Sequence, residues 1–349
     1  MIWLTWRQFR AQAVAVSALV AAFGLLLLVT GPHLVTLYRD SSFAACRSNC
    51  GQAAGNFLNQ LAGDPPYHTV YLLGALLIIL LPAVIGLFWG APLLARELES
   101  GSFRLAWNQS VTRERWLAVK LGVLGLASMA VAGLLSLILG WWASPIDNAA
   151  GLAGTGGFQS RFFPLDFGTR GIAPIGYAAF AFALGVLVGL MIRRTVLAMG
   201  ITLAVIVAVQ IAFPLLVRPH LITPVRDTTA LTAANIQGIG VGPGSGGGQI
   251  RNISAASPSV PGAWIISSQV TTSSGSTVLG TTPQACQPQQ GQGFNACATA
   301  IAQQNLKQVV VYQPANRYWA FQWIETGIYL TVAILLAWGC FWWVRRRLS

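Results

Sequence analysis

Long uncharged apolar runs alternate with short polar segments along this chain. Residues 71–94 (YLLGALLIILLPAVIGLFWGAPLL) carry no charge, and neither do residues 121–142 (LGVLGLASMAVAGLLSLILGWW). A run of about 18 uncharged apolar residues is long enough to cross the hydrocarbon of a bilayer as a helix. Six runs qualify, at roughly 12–30, 70–94, 120–142, 172–192, 196–217 and 319–343. A membrane β-barrel would instead show alternating segments of about ten residues, and these runs are continuous. The first run reads as a retained span. Its apolar core is longer than that of a signal peptide and no A-x-A site follows it. The TGPH that ends it (30–33) reads as a helix stop.

Composition agrees with this pattern. The chain is 54% hydrophobic and 9% charged, against about 25% charged in a soluble domain. It therefore reads as an all-α, six-helix polytopic membrane protein. The net charge of +12 does not point to nucleic acid, because the basic residues flank the apolar runs instead of covering one soluble face. Arg7, Arg10, the five basic residues of 95–120, Arg193, Arg194 and the run Arg345, Arg346, Arg347 all fall on the side that holds the termini. The excess of Lys and Arg in short cytoplasmic connections then places both termini, the 95–120 loop and the 193–195 turn in the cytoplasm of a cell-membrane protein. Segments 31–69, 143–171 and 218–318 would face outward. Trp141, Trp142, Trp319, Trp323, Trp342 and Trp343 sit at expected span ends, where an apolar ring keeps its N–H wet.

The segment 218–318 is rich in Gly, Ser, Thr, Gln and Asn. It is long enough for a small α/β or mainly β domain before the last helix, dividing the chain into 1–217, 218–318 and 319–349. VGPGSGGGQ (241–249) reads as a flexible loop, and it lacks the G-K-[ST] ending of a phosphate-binding loop. AWIISSQVTTSSGSTVL (263–279) and KQVVVY (307–312) read as strands, and ACATAIAQQNLK (296–307) as a short helix. Cys46, Cys50, Cys286 and Cys297 all lie in outward segments, while Cys340 lies in a span. Four thiols allow three connectivities. Cys286–Cys297 is the favoured bridge and Cys46–Cys50 the second, as structural disulfides of an oxidising exterior. No His, Asp or Glu near Cys46 and Cys50 completes a metal-ligand set.

Catalytic motifs are absent. His33, His68 and His220 pair with no local acid or cysteine, and H-E-x-x-H, G-x-S-x-G and D-x-D do not occur. Among intramembrane ionisable groups, which are costly and usually functional, Glu325 stands out in RYWAFQWIETGIYL. It lies about 9 Å below Trp319 at 1.5 Å per residue. It needs a partner, a water-filled cavity or a proton. Two roles are open to it: a hydrogen bond at a helix interface, or a place on a translocation path or its outer gate.

Eight of the chain's charged residues crowd into 95–120 (ARELESGSFRLAWNQSVTRERWLAVK). Arg and Lys suffice for anchoring, so Glu97, Glu99 and Glu114 ask for another reason. RELES continues the second span's helix and Gly101 breaks it. SFRLAW forms a short amphipathic turn, and Ser110 or Thr112 caps the third span. Such a compact loop suits docking to a soluble partner and passing force into two spans.

The run GAPLLARELESGSFRLAWNQSVTRERWLAVKLG resembles the coupling loop of ABC transporter permeases of the type-2 exporter class, particularly their actinobacterial branch. WLTWRQFRAQ and YQPANRYWAFQWIETGIYL resemble that branch's terminal signatures; the 218–318 segment does not take part. The resemblance implies a permease that works as a dimer, a homodimer favoured over a heterodimer, with two copies of an ABC ATPase subunit. The ATPase would bind ATP and Mg²⁺; this chain, without a Walker A motif, would bind no cofactor. By position, the resemblance makes Arg96, Glu97, Glu99, Gly101, Ser102 and Arg104 the coupling residues, with Glu97 and Glu99 pairing to basic ATPase residues. Arg193 and Arg194 would add a second contact or anchor the turn. An N-terminal helix would lie on the membrane, with Trp3, Leu4, Trp6 and Phe9 dipping into the interface and Arg7 and Arg10 on the headgroups. The function so implied is export of a hydrophobic or amphipathic substrate such as a drug, lipid or peptide. Two other readings stand beside it. One is a membrane sensor or assembly protein using its outer domain. The other is an ion-coupled carrier dependent on Glu325.

Overall fold

A computed structural model of the protein describes residues 2–100, 112–153, 157–244, 247–255, 260–272, 286 and 293–347. The chain forms two units. One comprises residues 1–221 and 317–349, and the other residues 222–316.

The first unit is helical. Among the described residues, six helices are long and apolar enough to cross a membrane: Ala13–Asp40, Pro65–Glu99, Arg113–Ala150, Ala173–Ile192, Thr195–His220 and Ala315–Arg346. Helix α1 (Ile2–Asp40) does not stop at TGPH; it runs through Pro32 for another two turns. Pro32 removes the helix bond to the Leu28 carbonyl, and side-chain bonds flank the position on either side. Thr30 Oγ1 donates to the Leu26 carbonyl (2.9 Å), Thr36 Oγ1 to that of Pro32 (2.7 Å), and Trp142 Nε1 to Thr30 Oγ1 (3.0 Å). Leu27 and Leu34, on either side of the proline, are fully buried. Two short helices, α2 (Ser42–Ala45) and α3 (Gly51–Gly63), follow, with the Cys46–Cys50 disulfide between them.

The second span is α4 (Pro65–Val84), a π-helical turn (Ile85–Gly90) and α5 (Ala91–Ser100). Pro82 brings no N–H to the helix ladder, and the ladder resumes with the wider spacing of the π-turn. Helix α6 (Arg113–Ala150) starts where Thr112 caps it, its side chain accepting from the Arg115 N–H. The short α7 (Pro164–Phe167) precedes α8 (Ala173–Ile192), the centre of the bundle, against which α5, α6, α9 and α11 all pack. Helix α9 (Thr195–Ala212) ends in a π-turn (Phe213–Val217) and a 3-10 turn (Arg218–His220).

Glycine spacing sets the tightest contact, between α8 and the second span. A Cβ at Gly185 would lie 2.6 Å from the Gly86 carbonyl oxygen, and one at Gly189 would lie 2.3 Å from that of Ala91. Backbones approach this closely only where side chains are missing, and such packing drives helix association where the hydrophobic effect cannot.

The second unit holds a three-stranded antiparallel sheet in the order β1-β5-β4, from β1 (Val225–Ala230), β4 (Trp264–Thr271) and β5 (Lys307–Gln313). Strands β2 (Ile236–Gly244) and β3 (Gly247–Ala255) form a separate hairpin. Here the expected VGPGSGGGQ loop is corrected. Val241 pairs with Ile250 and Gly242 with Gln249, leaving residues 245 and 246 outside the described residues. Glycine weakens a strand but does not forbid it, and the Ile239–Ile253 pair farther along the ribbon belongs to the same ladder. The expected strands at 263–279 and 307–312 correspond to β4 and β5; residues 273–279 lie outside the described residues. The expected helix is α10 (Phe294–Ala302). It packs Ala298 and Ile301 on Leu231, Ile236 and Leu306, beside the Cys286–Cys297 disulfide. The chain then enters α11 (Tyr318–Arg347), the last span, where Cys340 is buried as a free thiol.

Candidate functional site

The helices alternate in direction, so the first unit has a terminal end, with residues 2, 100, 113, 192–195 and 347, and a far end. Charge gathers at both.

At the terminal end, the acids of the 95–120 loop find partners inside the chain. Lys120 Nζ donates to Glu97 and lies 4.7 Å above the Trp116 ring. Glu99 Oε2 accepts from the Thr195 N–H (3.1 Å) and Oγ1 (2.7 Å). It thereby caps α9 from another helix, a carboxylate at the positive end of a helix dipole. Glu114 takes a bidentate pair from Arg345 (2.7 and 3.0 Å). Glu97 and Glu99, expected to pair with basic groups of an ATPase, also have donors within the chain, and Glu99 is exposed. Arg96, Arg193 and Arg194 are exposed, and Arg193 adopts the left-handed conformation (φ 56°) that closes α8. Gly101, Ser102 and Arg104 lie outside the described residues, as do the turn expected at Gly101 and the SFRLAW turn. Trp3, Trp6, Arg7 and Phe9 fall in α1, which continues unbroken into the first span, and Arg10 is exposed.

The far end holds two buried charge clusters. In the first, Arg218 Nε and Nη2 donate to the two carboxylate oxygens of Glu325 (2.8 and 2.9 Å), and Arg218 Nη1 donates to the Pro164 carbonyl (3.0 Å). Tyr177 Oη donates to Glu325, and the guanidinium stacks 4.3 Å from the Phe167 ring. Both charges are about 1% exposed. A buried charge must be paired and hydrogen-bonded, and here every carboxylate oxygen is. The cluster forms the polar wall of a cavity of about 380 Å³ otherwise lined by residues such as Ile79, Leu165, Ile211 and Leu215.

In the second cluster, Tyr71 Oη donates to Asp166 Oδ1 (2.7 Å), and Arg170 donates to Asp147 Oδ2 (3.2 Å) and Thr169 Oγ1 (3.0 Å). Burial pushes the Asp166 carboxyl above its ordinary pKa, against the Tyr71 hydrogen bond and the nearby Arg170 charge. Burial works against the Arg170 charge too, but the surrounding acids outweigh it and raise its pKa. Nearby, Gln322 ties the last span to the loop before α8. Its Oε1 accepts from the N–H groups of Ile172 and Ala173, and its Nε2 donates to the carbonyls of Phe167 and Arg170.

Of these residues, the sequence pattern singled out only Glu325 as buried. Arg218 and Asp147 read as loop charges because hydropathy ends the fifth and third spans before them; the helices run on to His220 and Ala150. His33 and His68 lie against the rings of Tyr67 and Phe158, and His220 Nδ1 lies 2.9 Å from the Leu216 carbonyl oxygen. Among the described residues, no group of three or more His, Cys, Asp or Glu could hold a metal ion.

Comparison with known proteins adds one result. No curated protein and no solved structure matches the chain. A protein-family model does match, that of the family described as ABC-2 membrane transporter related, over residues 17–218. The match takes in more than half of the chain, including the first five spans and the charged loop. The chain therefore belongs to the ABC-2 membrane transporter related family, whose members are multi-pass membrane subunits of ABC transporters.

Proposed function

We propose that this chain is the permease of an ATP-driven exporter, worked by a separate ATPase that binds ATP and Mg²⁺. The reading rests on one arrangement at the terminal end. Glu97–Lys120 joins the second span to the third, Glu99 joins the second to the start of the fifth, and Glu114–Arg345 joins the third to the sixth. A push on segment 101–111 is thus delivered to four spans at once. In this reading Glu97 and Glu99 also form the linkage behind the loop. Arg96, Arg104 and the exposed Arg193 and Arg194 are left as the contact.

Positive charge at this end favours a cytoplasmic position for both termini. Two copies of the chain, a homodimer, would work with two ATPase subunits. ATP-driven closure of the ATPases would press the loops together and open a path at the far end. The apolar cavity beside Glu325 favours a hydrophobic or amphipathic substrate. Glu325 is saturated by Arg218 and Tyr177, which weighs against an ion-driven carrier.

Co-purification from native membranes tests the reading. The wild-type chain should bring down an ATPase subunit. An Arg96→Glu/Arg104→Glu chain should insert and elute normally but lose the ATPase by about tenfold or more, as expected when charged contacts worth about 1.5–3 kcal/mol each become repulsive. Full retention of the ATPase by the charge-reversed loop would overturn it.

A further inference from the structure

A second cavity, of about 460 Å³, lies at the far end of the helical unit between α6, the loop before α8 and the start of α11. It shares no residue with the cavity beside Glu325. Its wall carries Asp147, Arg170, Arg161 and Ser144, with Trp141 and Trp319 among the aromatic residues.

The two buried ion pairs of the far end differ in one respect. Arg218 and Glu325 satisfy each other through two short hydrogen bonds. Arg170 and Asp147 meet through one contact of 3.2 Å, and each keeps a buried polar atom with no partner, Nη2 of Arg170 and Oδ1 of Asp147. The Arg170 side chain is only 3% exposed. A buried polar group without a partner is costly and rare in native proteins, and asks for a reason. Here the unpartnered atoms are one donor on a cation and one acceptor on an anion, on two residues that line one cavity; both atoms are closed off from it in this structure, and a ligand meets them once the side chains turn toward the cavity. They match a ligand carrying both an oxyanion and an ammonium.

Arg161 narrows the choice. It is exposed, and its guanidinium lies 4.6 Å over the Tyr318 ring. Two cations and one carboxylate on the wall suit a phosphate paired with a single amine. Planar guanidinium groups are well shaped for phosphate oxygens. Trp141 and Trp319 are 58% and 52% exposed, as expected of indoles at a membrane–water boundary. Leu137 and Ile175 give the cavity an apolar side.

We propose that this cavity binds the headgroup of a zwitterionic aminophospholipid, its phosphate on Arg170 and Arg161 and its ammonium on Asp147. This assignment is independent of the exporter reading, since its test is binding and not transport. The full-length protein, delipidated in detergent, is titrated with palmitoyl-oleoyl phosphatidylethanolamine, with the matching phosphatidylglycerol, which has no amine, and with soluble phosphoethanolamine. The wild type should prefer phosphatidylethanolamine by about tenfold, the scale of one charged hydrogen bond. Asp147→Asn should abolish that preference and leave phosphatidylglycerol binding unchanged. Arg161→Gln, at an exposed position that leaves the buried pair intact, should weaken both lipids several-fold. No preference in the wild type, a preference that survives Asp147→Asn, or lipid affinities unmoved by Arg161→Gln would overturn the assignment. Displacement of the lipid by phosphoethanolamine at equal concentration would replace the lipid with a water-soluble ligand and overturn it in that form.

Discussion

Arg345 and Glu114, at the terminal end of the helical unit, are 63% and 52% exposed, whereas Arg218 and Glu325, at the far end, are about 1% exposed. Both are bidentate arginine–carboxylate pairs of ordinary length. What separates them is surroundings. An exposed pair exchanges water for a partner at little net gain and separates as easily as it forms. A buried pair has given up its water and cannot part without leaving a bare charge in an apolar setting. The terminal end is therefore built from links that rearrange at low cost, and the far end from links that hold. Lys120–Glu97, with side chains 5% and 17% exposed, falls between them.

The strongest way to break this contrast is to remove one buried partner. Glu325→Ala strands Arg218 beside Pro164 and Phe167, and the loss should be about 3–5 kcal/mol. Thermal unfolding of the purified protein in detergent reads it. The double change Arg218→Met/Glu325→Leu should recover most of that loss, because an apolar pair of similar volume needs no compensation. If the single change melts no earlier than a surface variant, burial does not divide the two ends.

A smaller effect should come from the contact between α8 and the second span. Gly189→Ala places its Cβ 2.3 Å from the Ala91 carbonyl oxygen, and backbone cannot swing aside as a side chain can. Overpacking of this kind costs about 1–3 kcal/mol. Gly200→Ala, in α9, meets nothing within 4 Å and should be neutral or stabilising by up to about 1 kcal/mol, the helix propensity gained. Equal melting temperatures for the two variants would mean that the glycines are not needed for close approach.

How much of this could be read from the chain differs between its features. The six spans were legible because hydropathy reports directly on what sits in hydrocarbon. Their ends were not, because a helix stops where its hydrogen bonds and packing stop. Pro32 looked like a terminus, yet α1 runs past it with Leu27 and Leu34 buried on either side. Glu325 was visible as a lone acid in an apolar run. Its partner Arg218 was not, since it lies 107 residues away and no periodicity joins them. The unusual acids of the 95–120 loop were also visible. Glu99 found its use at the N-terminus of a helix 96 residues downstream, a relation that only the packed bundle creates. The glycines at 86 and 90 and at 185 and 189 share one spacing, a signal present in the sequence whose meaning depends on which two helices meet.

The smallest effect belongs to the exposed pair. Glu114→Ala removes a bidentate contact to Arg345, but the guanidinium left behind stays in water and loses no solvation. The gain from pairing was offset from the start by the entropy of holding two long side chains together, and salt screens what remains. Glu114→Ala should therefore melt with the wild type, and raising the salt should not separate the two. The variant still cuts the link between the third and sixth spans. If segment 101–111 drives the bundle through that link, ATP-driven transport should fall while the melting curve stays put. A drop in stability comparable to that of Glu325→Ala would show that the terminal end is held as rigidly as the far end.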